Sequence, residues 1–371
     1  MSNTLSVETT RGELLPILDL LAHGVARRTP APLLTGVLVS PDGTVRTMDY
    51  ETEIIGHLPG LVSGPESDLL VDFAALHAAV KVGGKIKASL LGRVTLTGTD
   101  NGGLSVATPH GTSTIRPIGV AADFPDPMAR EGRGFAIDAA AFADAFLFAS
   151  DAADKRDMFP VLTGLLLSSD GSGEMVVTAC DRYRLHCALV PAEAPAGTSV
   201  IIPAAHCKLF SGLAKSGATA TMYVESDAVT MRAGGITVTA RTILGNYPKT
   251  ENLVSAALQE ATWAPVDLPA LVAALKPYRS ARDRKPIAEF APSMTPAPVR
   301  IMVDGEKVAE LAALLTGYPT DMDPVTLRTD FLAQTARIGS TDVDMGFSQP
   351  SKPVVLRTPG RVALVMPTRL P

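Results

Sequence analysis

The sequence has few cysteines, few aromatic residues and no long apolar run. Its 371 residues include three cysteines, and aromatic residues make up 5%. So few cysteines, in odd number, predict a reducing compartment without structural disulfides. Scarce aromatic side chains argue against binding single strands by base stacking. No apolar run approaches the roughly 18 residues of a membrane span, and the N-terminus does not read as a signal peptide. We therefore expect a cytoplasmic protein with no membrane partner.

Catalytic signatures are also missing. The sequence contains no GxxxxGK[ST] loop, no GxSxG elbow, no HExxH and no CxxC. Gly83-Gly84-Lys85 is followed by Ile86, so it does not complete a phosphate-binding loop. Carboxylates such as Asp49 and Asp181 follow predicted strands but have no identifiable partner base or nucleophile. We therefore expect a protein that is not an enzyme and that needs no cofactor.

One cluster of thiols and imidazoles suggests a metal site. It comprises Cys180, His186, Cys187, His206 and Cys207, and both side-chain types bind zinc. However, the spacings match no common zinc framework, and adjacent residues of a strand point to opposite faces. Buried free cysteine is also an ordinary small apolar residue. We therefore expect no metal, and zinc is the weaker alternative.

An internal repeat is the feature around which the chain is organised. Residues 32–43 read PLLTGVLVSPDG, and residues 160–171 read PVLTGLLLSSDG, an offset of 128 residues. Eight of the twelve positions are identical, and each copy predicts a buried strand that ends at an Asp-Gly turn. A repeat of this length fits about three times into the chain.

Helical and alternating patterns follow the same plan three times. Two helices per repeat are predicted, with short antiparallel strands between them. Pro-, Gly- and charge-rich segments after residue 121 and near 250–262 predict boundaries. The prediction is an α+β protein of three domains, 1–127, 128–254 and 255–371. The helices are expected over 11–23, from an N-cap at Asp72 to Gly83, from Asp138, from Pro203 to Gly217, over 268–275, and from Asp323-Pro324 to Gly339.

One segment conflicts with this plan. Val308–Leu315, VAELAALL, has helical propensity but lies where the other repeats have a strand.

The charge distribution allows two interpretations. The formal net charge is −5, yet basic residues recur at or near the predicted helices. Cations are common at helix C-termini because the macrodipole favours them there. Alternatively, basic helices on an acidic body could follow a phosphate backbone without reading its sequence.

Five segments, in order along the chain, resemble those of the bacterial sliding clamp family, the beta subunit of DNA polymerase III. The resemblance spans nearly the whole chain and is strongest over 121–254. The segments are AADFP at 121–125, DRYRL at 181–185, SVIIPAAHCKLF at 199–210, GNYP at 245–248 and MPTRL at 366–370.

The resemblance implies a DNA clamp fold of three repeated domains and a homodimeric ring around duplex DNA. The ring has no catalytic site; it tethers a polymerase and so confers processivity. A clamp loader opens it, and the polymerase III alpha subunit and other proteins with a clamp-binding motif dock a peptide in an apolar cleft. That cleft is expected to comprise Leu162, Cys180, Tyr183, Arg184, Leu185, Pro248, Leu364, Val365, Met366, Pro367, Thr368 and Arg369. The resemblance implies DNA contacts from Arg28 and Arg156, and the basic residues at the predicted helices add Lys208, Lys215, Arg279 and Arg282 to the expected DNA-contacting set.

The sequence also departs from the family pattern. Arg182-Tyr183 replaces Gly-His, and Cys180 replaces Thr, which predicts a changed peptide preference. Dimer contacts are expected to join 112–118 to 276–282. Two alternatives stay open: an enzyme or ligand-binding protein of repeated α+β domains, and a clamp-like protein that binds the partners without encircling DNA.

Overall fold

The computed structural model of the chain divides into two compact units. The first unit is Met1–Ala140 with Lys208–Thr242, and the second is Ala141–Cys207 with Ile243–Pro371. None of the described helices is long and apolar enough to cross a membrane. The structure describes residues 5–82, 92–128, 133–156, 158–213, 219–278, 286–290, 297–304, 306–315, 323–339 and 342–368.

One element order occurs three times along the described residues: a strand, a helix, four strands, a second helix and three strands. The first copy has an additional short strand, and an additional helix separates the second copy from the third. This order agrees with the threefold repeat in the sequence, while the domain boundaries stay a prediction.

Seven α-helices are present in the described residues. They are α1 (Arg11–Leu21), α2 (Phe73–Lys81), α3 (Ala139–Ser150), α4 (Cys207–Leu213), α5 (Glu251–Glu260), α6 (Leu268–Leu275) and α7 (Thr329–Gln334). The strands are β1 (Ser6–Thr10), β2 (Gly36–Val39), β3 (Thr44–Met48), β4 (Thr52–His57), β5 (Leu61–Ser63), β6 (Leu69–Asp72), β7 (Arg93–Gly98), β8 (Leu104–Thr108), β9 (Gly111–Ile115), β10 (Phe135–Asp138), β11 (Gly164–Ser169), β12 (Glu174–Cys180), β13 (Arg184–Pro191), β14 (Thr198–Pro203), β15 (Thr219–Val224), β16 (Ala228–Ala233), β17 (Ile236–Arg241), β18 (Thr262–Pro265), β19 (Ile287–Phe290), β20 (Ala297–Val303), β21 (Glu306–Leu315), β22 (Val325–Arg328), β23 (Asp344–Phe347), β24 (Val354–Thr358) and β25 (Arg361–Val365).

Each unit contains two antiparallel sheets. In the first unit the strand orders are β5-β1-β7-β8-β9 and β10-β15-β16-β17-β4-β3-β2-β6. In the second unit they are β14-β11-β12-β13-β25-β24-β23-β18 and β21-β20-β19-β22. Each eight-stranded sheet therefore joins four-strand sets from two copies of the repeat.

Local sequence signals account for several helix starts. Thr10 caps α1, because its hydroxyl accepts from the Glu13 amide while the Glu13 carboxylate accepts from the Thr10 amide. Asp72 caps α2 by accepting from the Ala75 amide at 2.6 Å. The predictions of α1, α2, α3 and α6 are confirmed. The expected stops of α2 at Gly83 and of α4 at Gly217 lie outside the described residues.

Two predicted helix starts need correction. Val325–Arg328 is a strand rather than helix, because Val325 and Leu327 alternate with less buried neighbours; α7 begins only at Thr329. The helix expected from Pro203 begins at Cys207, after a 3₁₀ turn at Ala204–His206. Residues 250–262, interpreted as a boundary, contain α5, which separates the second copy of the repeat from the third; the boundary itself stays a prediction. Val308–Leu315 is part of strand β21, so sheet pairing with β20 overrides its helical propensity.

The segment after the first copy of the repeat is packed into the first unit. Phe124 and Met128 are 6% and 7% exposed. The Met128 amide donates to the Glu53 carboxylate at 3.0 Å, and the Arg46 guanidinium lies 4.9 Å from the Phe124 ring centroid. We call this buried group the first-unit cluster; its other members are Ala26, Leu34, Leu38, Met48 and Leu70.

Candidate partner-binding cleft

Most of the residues expected to bind a partner peptide line one cleft in the second unit. The cleft has a volume of about 220 Å³. Eight expected residues lie on its wall: Leu162, Cys180, Tyr183, Arg184, Leu185, Pro248, Leu364 and Met366.

Strand register builds the apolar floor of the cleft. Cys180 on β12 pairs with Leu185 on β13, and Leu185 pairs with Leu364 on β25. Leu364 in turn pairs with Val355 on β24. Side chains at paired positions lie on the same face of a sheet, so four neighbouring strands form one apolar row. Leu162, from the 3₁₀ turn that precedes β11, adds to the same buried cluster.

An ion pair fixes the turn at the mouth of the cleft. The Arg184 guanidinium donates to Asp181 Oδ2 from Nε at 3.1 Å and from Nη2 at 2.7 Å. Asp181 Oδ1 accepts from the backbone amides of Tyr183 and Arg184. Arg184 also donates to Gln334 and lies 4.5 Å from the Phe331 ring centroid. With its carboxylate and ring partners, this buried cation is a structural part of the wall.

Tyr247 packs against the buried cluster beneath the cleft. Its phenol oxygen accepts from the Cys180 amide at 2.9 Å. Burial raises the pKa of the Tyr247 phenol and of the Cys180 thiol, and it raises the pKa of Cys187 to about 11. These thiols are therefore protonated near neutral pH. Thiolate, the form that binds metals and attacks electrophiles, is scarce there.

The other members of the thiol and imidazole cluster face elsewhere. His186 is completely buried and its Nδ1 donates to the Phe148 carbonyl oxygen at 2.9 Å. The Cys207 thiol contacts the Ser150 hydroxyl at 3.3 Å. Among the described residues, no group of three or more His, Cys, Asp or Glu side chains could hold a metal ion.

Four expected cleft residues do not line the cleft or lie outside the described part. Val365 is completely buried and pairs with Arg184 in the sheet. Pro367 and Thr368 follow the last strand, and the Thr368 amide donates to the Thr326 carbonyl at 2.8 Å. Arg369 lies outside the described residues. Whether these residues contact a partner stays a prediction.

Five lining residues are outside the expected set: Arg182, Lys249, Thr250, Leu253 and Pro353. Of these, only Arg182 was singled out by the sequence, as a departure that predicts a changed peptide preference. Three of them come from α5 or the residues just before it. The spacing of Val254, Ala257 and Leu258 indicates a helix face. This signal was not used, because residues 250–262 were interpreted as a domain boundary.

A second groove lies on the same side of the sheet, with α5 also forming part of its wall. It has a volume of about 440 Å³ and includes Val176, Leu189, Val254, Leu258 and Val362. Thr250 lines both depressions.

The expected DNA-contacting residues are placed as follows. Arg28 and Lys208 are exposed in the first unit. Desolvation lowers the pKa of His23, and the nearby charges of Arg27 and Lys208 lower it further. In the second unit, Arg156 is half exposed and donates to both carboxylate oxygens of Asp154. Lys215, Arg279 and Arg282 lie outside the described residues.

Comparison with known proteins identifies the fold. Residues 137–249 match the family model "DNA polymerase III beta subunit, central domain". A curated relative, the beta sliding clamp of Micrococcus luteus, is 28% identical over 245 residues, which cover 62% of this chain and 74% of the relative. The resemblance seen in the sequence is therefore confirmed.

Solved structures match along nearly the whole chain. The Pseudomonas aeruginosa sliding clamp, solved bound to griselimycin, has a TM-score of 0.84 at 20% identity and covers 99% of this chain and 100% of its own. The beta subunit of Streptococcus pyogenes DNA polymerase has a TM-score of 0.83 at 16% identity, and the match covers 99% of this chain and 100% of that one. The Bacillus subtilis clamp has a TM-score of 0.81 at 17% identity, and the match covers 98% of this chain and 99% of that one. The chain has the sliding clamp fold.

Proposed function

We propose that this chain, whose fold and central domain are those of the bacterial sliding clamp family, works as the beta subunit of DNA polymerase III. In this role it is a homodimeric ring that encircles duplex DNA and tethers the replicative polymerase without catalysing a reaction itself. The observation that carries the proposal is that the likeness to sliding clamps extends over all three copies of the repeat. We place it in the cytoplasm and assign its three domains to 1–127, 128–254 and 255–371.

Two sheet edges support dimer formation. β9 is the last strand of its sheet in the first unit, and β21 is the last strand of its sheet in the second. Residues 111–114 of β9 are exposed. An edge strand presents unpaired backbone groups that can pair with another chain. Because the two edges differ, joining β9 of one copy to β21 of the next is a head-to-tail contact, and two such contacts close a dimer. The contact expected between 112–118 and 276–282, a segment that is not part of β21, is a separate element of this proposal.

The cleft supports a tethering role. An apolar floor with a Met side chain at its edge suits docking of varied peptide anchors. We propose that the polymerase III alpha subunit, the clamp loader and other proteins with a clamp-binding motif dock there. Arg28, Arg156 and Lys208, with Lys215, Arg279 and Arg282, are proposed to contact the phosphate backbone without reading base sequence.

Topological loading tests the proposal. The full chain is loaded by a clamp loader onto nicked circular duplex DNA, and retention is measured at 0.5 M salt before and after the circle is cut once. We expect retention on the circle and loss within minutes of cutting, because a ring slides off free ends. In parallel, light scattering across a dilution series is expected to give twice the chain mass of 38.7 kDa.

Two outcomes would contradict encirclement. Equal retention on cut and closed DNA indicates binding to the surface of DNA instead of a ring around it. A monomer at all concentrations favours the alternative of a clamp-like protein that binds partners without encircling DNA.

A further inference from the structure

The mouth of the cleft is positively charged, and no carboxylate on its described wall neutralises this charge. Arg182, Arg184 and Lys249 line the cleft, and no Asp or Glu is among its described lining residues. The Arg184 charge is balanced by the buried carboxylate of Asp181. Arg182 and Lys249 are both exposed. An occupant of the cleft therefore meets two cations next to an apolar floor.

Arg182 is held at the mouth by its backbone and by a ring. It occupies the tight turn between β12 and β13, with a φ of 75°, a left-handed conformation that is uncommon outside glycine. Its guanidinium carbon lies 4.9 Å from the centroid of the Phe159 ring, and Phe159 is 42% exposed. Such a cation–π contact orients the guanidinium. The Asp154 carboxylate lies within electrostatic range of Arg182 but accepts its hydrogen bonds from Arg156, so the Arg182 N–H groups can bind a further anion.

We propose that Arg182, together with Lys249, selects partner peptides that carry an acidic residue beside their apolar anchor. The proposal rests on the proposed function, since it concerns the peptide that the cleft binds. The apolar row of Cys180, Leu185 and Leu364 takes the anchor, and the cations at the mouth pair with the flanking carboxylate. Charge complementarity of this kind contributes mainly to specificity and to the association rate.

Two peptides that differ only in charge provide the test. Fluorescence anisotropy measures binding of the full chain to two labelled octapeptides with the same apolar dipeptide anchor, flanked by two aspartates in one and by two asparagines in the other. For the unmodified chain we expect about tenfold tighter binding of the aspartate peptide at 50 mM salt, and a preference of about twofold at 500 mM because salt screens exposed pairs.

Arg182→Gly removes the guanidinium while suiting the left-handed backbone. We expect it to lower the preference for the aspartate peptide to about threefold. The double variant Arg182→Gly, Lys249→Gln should lose the remaining preference for the aspartate peptide. Arg93→Gln, which neutralises a 78%-exposed arginine of the first unit, is the charge-matched control and should retain the full preference. Arg182→Glu is expected to reverse the preference towards a lysine-flanked peptide.

The outcomes separate the inference from the function on which it rests. If neither peptide binds the unmodified chain, the proposed role of the cleft fails. If both bind equally at low salt, the cleft binds peptides but the charge selection is overturned. If Arg182→Gly, shown to be folded by circular dichroism, keeps the full preference, Arg182 is not the selecting residue. Arg182→Gln gives the same test should the glycine variant unfold.

Discussion

His186 is a fully buried titratable side chain of the second unit. Its ring stacks on Phe148 with centroids 4.5 Å apart, and Nε2 has no hydrogen-bond partner among the described residues. Burial, with a smaller contribution from Arg184, lowers its pKa from 6.5 to about 4. The folded protein thus keeps this imidazole neutral where an unfolded chain would protonate it.

We expect His186 to make the protein less stable in mild acid. Because the pKa is lower in the folded state, its contribution is fully present above about pH 6.5 and is lost as the pH falls towards 4. The full loss is on the order of 3 kcal/mol. Urea unfolding of the wild type and of His186→Gln, which keeps a donor for the Phe148 carbonyl, measures this between pH 7.5 and 5. Identical pH dependence in the two proteins would contradict the assignment.

At the residue scale, the sequence could predict the cleft floor but not its charge. The resemblance to a family predicts the four floor residues Leu162, Cys180, Leu185 and Leu364. Strand register brings the last three together, and the 3₁₀ turn before β11 adds Leu162. Arg182 stands where the family pattern has Gly, and its effect depends on the left-handed turn and on the Phe159 ring, neither of which a sequence pattern predicts.

At the scale of elements, α5 decides the shape of the cleft. It packs against the sheet through Ala257, Val254 and Leu258, while Leu253 is 46% exposed and faces the cleft. An exposed apolar side chain on a cleft wall costs the free protein little and becomes buried when a peptide binds.

Leu253→Ala is therefore expected to weaken binding of the aspartate peptide about fivefold, because it removes roughly 1 kcal/mol of apolar burial in the complex. The free energy of unfolding should change by less than about 0.5 kcal/mol. Leu189→Ala, at a 43%-exposed leucine of the second groove, is the matched control and should leave affinity unchanged. Equal weakening by both variants would argue against a specific role for α5.

Element prediction failed where neighbours in the sheet decide the outcome. Asp323-Pro324 is a valid helix start by local rules, yet Val325–Arg328 pairs with β19. The apolar stretch of β21 likewise pairs with β20. In both places local rules favour a helix, but backbone pairing with a neighbouring strand decides the structure.

At the scale of the whole molecule, the basic residues are expected to hold DNA by charge alone. Arg28→Ala combined with Arg156→Ala should shorten the lifetime on nicked circular DNA and lower its salt dependence, while light scattering still gives a dimer. Arg28 should account for most of the effect, since Asp154 already pairs with Arg156. Arg93→Ala is the control, and an unchanged lifetime of the double variant would exclude these two residues from DNA contact.

The first-unit cluster has a consequence for stoichiometry. In the first copy of the repeat, Phe124 and Met128 fill the space next to Leu34 and Met48, while in the second copy an open cleft lies beside Leu162 and Cys180. The chain thus supplies its own occupant at one of two related positions. A titration should saturate at one peptide per chain, so that the proposed ring of two chains would offer two equivalent clefts at the same time.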